Sequence, residues 1–204
     1  MFTENEVSAL INYPNILQET VELKERFIKE EAEFLEISDH DFLSLVLLTP
    51  SVGVALSNGS VSLFEEMALN KKARKLSKGG FWMTQDPVVF AMELLIKNYD
   101  KWYSEFLKHI KSLIKLTAKD DSLMDSNFSL ESTNDNEQCI IVLKSSFIII
   151  RYITSFFMND EEEDILAERK IAKIEFDRIN EIAEDLGITE IPVFQIYRSK
   201  LTVK

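Results

Sequence analysis

Residues 86–118 read DPVVFAMELLIKNYDKWYSEFLKHIKSLIKLTA, and the fold class turns on this stretch. Asp86 has the short polar side chain of a helix N-cap, Pro87 suits the first helical position, and no further Pro or Gly appears before Lys119. Val88, Leu95, Trp102 and His109 recur every seven residues. So do Met92, Tyr99, Phe106 and Leu113, and so do Val89, Ile96, Tyr103 and Ile110. Three apolar columns in seven make a face suited to a bundle core more than to a two-column coiled-coil seam. Lys101, Lys108 and Lys115 form a basic column opposite, with Lys97 and Lys111 nearby. The spacing predicts one helix over 87–118, roughly 48 Å long at ~1.5 Å per residue, long enough to project, bend or pair with another chain. Around it the sequence predicts an all-α fold, a helical bundle of about five to seven helices.

On the N-terminal side, Thr3 and Glu6 form a capping box for a short helix ending near Tyr13-Pro14. Pro14 then opens a second helix to about Glu36. Its stripe is Leu17, Val21, Ile28, Ala32 and Leu35, with Ile16, Leu23, Phe27 and Phe34 beside it. Ser38 caps a third helix from Asp39 to Leu48, stopped by Pro50. Residues 51–57 are small and apolar and leave a helical turn and an extended strand both open, before the turn at Asn58-Gly59. Ser62 and Glu65 form a second capping box, opening a helix to about Ser77, with Gly79-Gly80 as its left-handed stop.

On the C-terminal side, residues 119–136 are rich in Ser, Asp and Asn without periodicity and predict a flexible internal loop within a single helical domain spanning 1–204. Cys139 to Phe157 predicts a buried helix, with a strand pair as the alternative because Ile and Val dominate. Lys144 and Arg151 interrupt it, so no membrane span is expected. Asn159 caps a final long helix, with Glu161, Glu162, Glu163 and Asp164 in its first turns. Ile165, Ala172, Phe176, Ile179, Ala183 and Leu186 form its stripe, and Gly187 ends it. The tail 187–204 holds Pro192 and mixed spacing and is expected to be extended.

Composition fits a globular protein: 46% hydrophobic and 28% charged residues, with only five Gly and four Pro in 204, too few for a sandwich or barrel with many tight turns. The single Cys139 excludes an internal disulfide, and no basic region followed by an apolar run marks the N-terminus; the expected location is cytoplasmic. The net charge of −12 is unevenly spread. Residues 71–119 carry eleven basic and four acidic groups, +7, whereas 1–70 carry −10 and 120–204 carry −9. A basic centre between acidic flanks suggests either self-complementary packing or a docking surface for an acidic partner.

Catalytic signatures are wanting. Asp39-His40-Asp41 has the His-Asp pair of metal-dependent helical phosphohydrolases but lacks the further upstream His that chemistry needs. Glu36 precedes His40 by four residues, as Glu105 precedes His109. Di-iron bundles use Glu-x-x-His instead, so no metal or cofactor is expected, and His109 is read as satisfied within the core face. Cys139 sits among Ile and Val without a His or Asp neighbour and reads as a buried, inert thiol. There is no Gly-x-Ser-x-Gly elbow or Gly-rich phosphate loop.

The run Lys71, Lys72, Arg74, Lys75 and Lys78, followed by Phe81-Trp82-Met83, is the functional candidate. Cations also favour a helix C-terminus, and the acidic flanks repel nucleic acid. The expected function is a non-enzymatic interaction or assembly subunit. Lys71, Lys72, Arg74, Lys75, Lys78, Phe81, Trp82, Lys101, Lys108 and Lys115 would meet an acidic protein partner or a second copy of the chain. The alternative is a helical ligand-binding protein or enzyme with a pocket between helices.

Overall fold

Thr3 accepts the Glu6 amide at 3.3 Å while the Glu6 carboxylate accepts the Thr3 amide at 2.8 Å, so the capping box forms and α1 runs Glu4–Ile11. The computed structural model describes residues 1–79, 86–118, 135–144, 147–158 and 164–204. Among these the chain is overwhelmingly α-helical. Pro14 starts α2, Pro14–Glu31, whose buried residues are Ile16, Thr20, Leu23 and Phe27. Leu17 therefore lies towards solvent, and α2 stops five residues earlier than its spacing suggests, leaving Phe34 in a turn, 94% exposed.

The Ser38 hydroxyl accepts the Asp41 amide to open α3, Asp39–Leu47. Pro50 does not end the helical region. It sits in the first turn of α4, Thr49–Ala55, which continues through a short 3-10 turn, Leu56–Asn58, and bends 41° from α3. The segment left open as helix or strand is thus helical. Phe42, Leu43, Leu45, Val46 and Leu47 are all fully buried, and α1, α2 and α4 pack around α3. A helix apolar on every side belongs in the centre of a fold.

α5, Leu63–Leu76, opens with the Ser62–Glu65 capping box. It ends on an extended Ser77; Gly79, with φ 66°, lies two residues beyond, and Gly80 is outside the described residues. Asp86 caps α6, Pro87–Lys97, through its carboxylate and the Val88 amide, with Pro87 in the first turn as expected. The single long helix is corrected. Asn98 leaves helical geometry (φ −116°, ψ 30°), and α7, Tyr99–Thr117, follows. The Asn98 amide closes α6 on the Leu94 carbonyl, its carbonyl accepts the Lys101 amide, and its side chain donates to Glu31 Oε2 at 2.5 Å. Asn competes for backbone geometry with a short polar side chain, and here a distant acceptor holds it outside the helix. The apolar columns survive the break: Val88, Leu95, Trp102 and His109 are all buried, as are Met92, Tyr99, Phe106 and Leu113.

Phe27 of α2, Phe42 of α3, and Trp102 and Phe106 of α7 form one aromatic cluster, with centroids 5.0 Å apart for Phe27–Trp102 and 5.7 Å for Phe42–Phe106. Where α4 crosses α7, Gly53 admits the Tyr99 ring: a Cβ there would lie 2.1 Å from the Tyr99 hydroxyl oxygen.

The loop expected at 119–136 lies outside the described residues up to 134. The helix expected from Cys139 to Phe157 is two: α8, Asp135–Leu143, and α9, Ile148–Phe157. Helix prevails over the strand pair, but only α9 buries a broad face, including Tyr152, Ile153 and Phe156. The N-terminus docks there. Phe2 donates its amide to Ser155 Oγ at 2.8 Å, its ring meets Tyr152 edge-on at 5.0 Å, and Arg151 donates to the Met1 carbonyl at 3.1 Å. α1 also packs against α8.

Asn159 and Glu161 to Glu163 lie outside the described residues, but the final helix does not begin with them. Asp164 is irregular, its carboxylate accepting the Leu166 amide at 2.8 Å. Arg169–Ile171 form strand β1, and α10, Lys173–Leu186, starts where Glu175 reaches back to the Ala172 amide at 2.7 Å. Gly187, at φ 74°, ends it as expected. The tail is extended only at its end: α11, Pro192–Ser199, precedes strand β2, Leu201–Val203, which pairs in parallel with β1, Arg169 opposite Leu201 and Ile171 opposite Val203. Pro192 acts as a helix-starting residue, and Phe194 and Tyr197, three apart, pack into the core. Among the described residues no single helix is long and apolar enough to cross a membrane.

Candidate functional site

α5 carries more apolar residues than one face can hide. Leu69, Ala73 and Leu76 are buried, while Leu63, Phe64 and Met67 in its first turns are 68%, 83% and 60% exposed. Helical spacing places Lys71, Arg74 and Lys75 on the outward side that continues from Phe64 and Met67, and all three are exposed. Lys78, just past the helix, is exposed too. The outward strip is therefore greasy at its start and cationic at its end.

Lys72 does not belong to that strip. It is 5% exposed, and its ammonium donates to Ser51 Oγ at 2.9 Å and the Ser155 carbonyl at 3.0 Å, joining α5 to α4 and α9. The Ser51 hydroxyl in turn donates to the Ser155 and Phe156 carbonyls at 3.0 and 2.9 Å. Its proton is committed to the end of α9, and Lys72 meets it as a donor, not as a base. The pair is cross-bracing and lacks the polarity of a Ser–Lys nucleophile. Phe81 and Trp82 lie outside the described residues.

The end of the α5 segment is held from below. The Lys78 amide donates to Asp41 Oδ1 at 3.1 Å, and the same oxygen lies 3.1 Å from His40 Nδ1, while His40 Nε2 faces the Glu4 carbonyl at 3.1 Å. Burial pushes the Asp41 carboxyl up, but hydrogen bonds from His40, the Lys78 amide and Ser38 outweigh it and hold the group below the usual range. Asp39 and Asp41 both stand in the first turn of α3, and Asp41 is buried at 3% exposure. His40 and Glu36 do not share a helix, since α2 ends at Glu31 and α3 begins at Asp39.

On α7, Lys101, Lys108 and Lys115 are all exposed. Lys101 bonds Glu31 and lies 3.1 Å from Glu30, and Arg26 bonds Glu105, so acids and cations of α2 and α7 pair across their seam. Burial pushes the Glu31 carboxyl up, yet the hydrogen bonds from Lys101 and Trp102 hold it low. His109 is buried at 4% exposure, 2.8 Å from Thr20 Oγ1 and 2.9 Å from Glu19 Oε2. The carboxylate requires the proton on Nδ1, leaving Nε2 to accept the Thr20 hydroxyl. Glu105, four residues earlier, is turned to Arg26 instead. Cys139 is half-buried against the core, not enclosed by it.

A cleft of about 800 Å³ lies between α4, α5, α9 and the β1–α10 region, lined by Ser51, Lys72, Arg169, Lys173, Tyr197 and other residues. A second, of about 810 Å³, opens beside Tyr99 and Arg178. Among the described residues no group of three or more His, Cys, Asp and Glu side chains is placed to hold a metal ion.

The structure thus sets Lys71, Arg74 and Lys75 on one outward strip, leaves Lys78 exposed just past the helix, puts Lys101, Lys108 and Lys115 on a different helix, and takes Lys72 inside. The sequence reading did not single out the exposed Leu63, Phe64 and Met67, although the surplus of apolar positions in 63-LFEEMALNKKARKL-76 signals them. Comparison with family models, curated proteins and solved structures finds no match to the chain.

Proposed function

We propose that the chain is a non-enzymatic interaction or assembly subunit that docks an acidic partner on the outward strip of α5. The observation that supports this reading is the exposure of Leu63, Phe64 and Met67 in line with Lys71, Arg74 and Lys75, with Lys78 exposed just past the helix. Large exposed apolar side chains beside like charges suit a partner that supplies both apolar contact and acid. Lys101, Lys108 and Lys115 offer a second basic strip on α7, its first member already engaged by Glu30 and Glu31.

The test is affinity capture from the native host with the wild type and with K71E/R74E/K75E/K78E, at low and high salt. Lys72 is left unchanged because it braces the interior. Acidic partners captured by the wild type at low salt, released by salt and missing from the variant are expected. Identical capture by both proteins, with the variant folded by circular dichroism, would sink the proposal.

A ligand pocket is the second reading, supported by the cleft beside Lys72, Arg169 and Lys173. Native mass spectrometry after mild purification decides it: added mass favours the pocket, a bare 23.6 kDa chain or its multiple removes it.

A further inference from the structure

Resting on that reading, we infer that the acidic partner is a second copy of this chain, and that the copy presents the turn between α2 and α3. Phe34 stands in that turn at 94% exposure, the most exposed large apolar side chain among the described residues. Glu33 and Glu36 flank it, both exposed. An aromatic knob between carboxylates is the complement of the α5 strip, where Phe64 and Met67 adjoin Lys71, Arg74 and Lys75. Each patch leaves large apolar side chains in water, and the exposed charges that follow them, Lys71, Arg74 and Lys75 on α5 and Glu33 and Glu36 at the turn, are of opposite sign. The remaining acids of α2 near the seam are committed, Glu30 and Glu31 to Lys101, so the turn is where this end of α2 keeps carboxylates turned outward. Apolar contact then supplies the attraction, and the charges fix which patch meets which.

The test is a charge swap read by sedimentation velocity. One variant carries K71E/R74E/K75E and the other E33K/E36K, each checked for the wild-type circular dichroism spectrum. The wild type is expected to self-associate, at least about tenfold more weakly in roughly 500 mM than in 50 mM salt. Each variant alone pits like charge against like and is expected to be monomeric, while their equimolar mixture, in which opposite charges meet again, reassembles. F34S, at a site with no interior role, should weaken association at least about tenfold without changing the fold. A wild type that stays monomeric at every concentration overturns the second-copy inference and leaves the acidic-partner reading standing. Association that both charge variants retain unchanged also overturns the second-copy inference, since the copies then meet elsewhere, and the acidic-partner reading is decided by the capture experiment alone.

Discussion

His109 shows how a residue that invites a catalytic reading earns its place in packing. Its ring joins α7 to Glu19 and Thr20 of α2, and burial lowers its pKa from 6.5, with Glu19 opposing in part. Because the folded pKa lies below the unfolded one, the unfolded chain takes up the proton first as pH falls. The stability this adds is complete above about pH 6.5 and drains away towards the folded pKa. Urea midpoints are therefore expected to drop between about pH 7.5 and about pH 5.5, and to drop less in H109Q, which is less stable throughout. Asp41 and Glu31, held low, lose their contributions only at more acid pH, outside this window. A pH slope equal in H109Q and wild type would refute the assignment. Spacing set Glu36 and Glu105 beside the two histidines, whereas the partners found are Asp41 and the Glu4 carbonyl for His40, and Glu19 and Thr20 for His109. The fate of Lys72 is legible in helical spacing: Leu69, Ala73 and Leu76 surround it on the helix, so it shares their inward face, whereas the five cations taken as one run hide this.

Among the elements, the α6–α7 break is the instructive one. Periodicity told two of the three buried columns of 88–113, while Ile96 and Tyr103 of the third are only half-buried, and it said nothing about continuity. The break depends on Glu31, 67 residues from Asn98 in sequence, whose buried carboxylate accepts from Asn98, Lys101 and Trp102 Nε1, the last at 2.8 Å. No local rule reveals such an acceptor. Replacing Glu31 by Ala leaves the Trp102 and Asn98 donors stranded and is expected to cost about 1–3 kcal/mol, with a shift in Trp102 emission measured in a W82F background. Unchanged stability would mean the three donors find other partners. Similar reasoning covers α10, whose Ala172 cap position has no side-chain acceptor and is served by Glu175, and α11, where Pro192 starts a helix that mixed spacing disguises. The capping boxes at Thr3 and Ser62, by contrast, were readable at sight because their chemistry is local.

At the scale of the molecule, β1 and β2 fold the C-terminal region back on itself. The Arg169 amide donates to the Lys200 carbonyl at 2.9 Å, the Lys204 amide to Ile171 at 3.0 Å, and Leu201 is buried at 8% exposure. Deleting 201–204 is expected to lower the melting temperature by about 3–8 °C, as a loss of roughly 1–3 kcal/mol does in a domain of this size. No change would show that α10 and α11 hold without the strand pair. The charge segregation visible in the sequence is used within the chain at the α2–α7 seam, and on α5 it lies at the surface, where Lys71, Arg74 and Lys75 are exposed. Only three-dimensional placement separates the two. One further consequence concerns synthesis. Phe2 and α1 complete their packing on Tyr152, Ser155 and α8, so once synthesised they wait for the 153 residues that separate Phe2 from Ser155. At ~5–20 residues per second that delay is roughly 8–30 s, during which Val7 and Leu10, fully buried at the end, lie open to chaperones as the nascent chain grows.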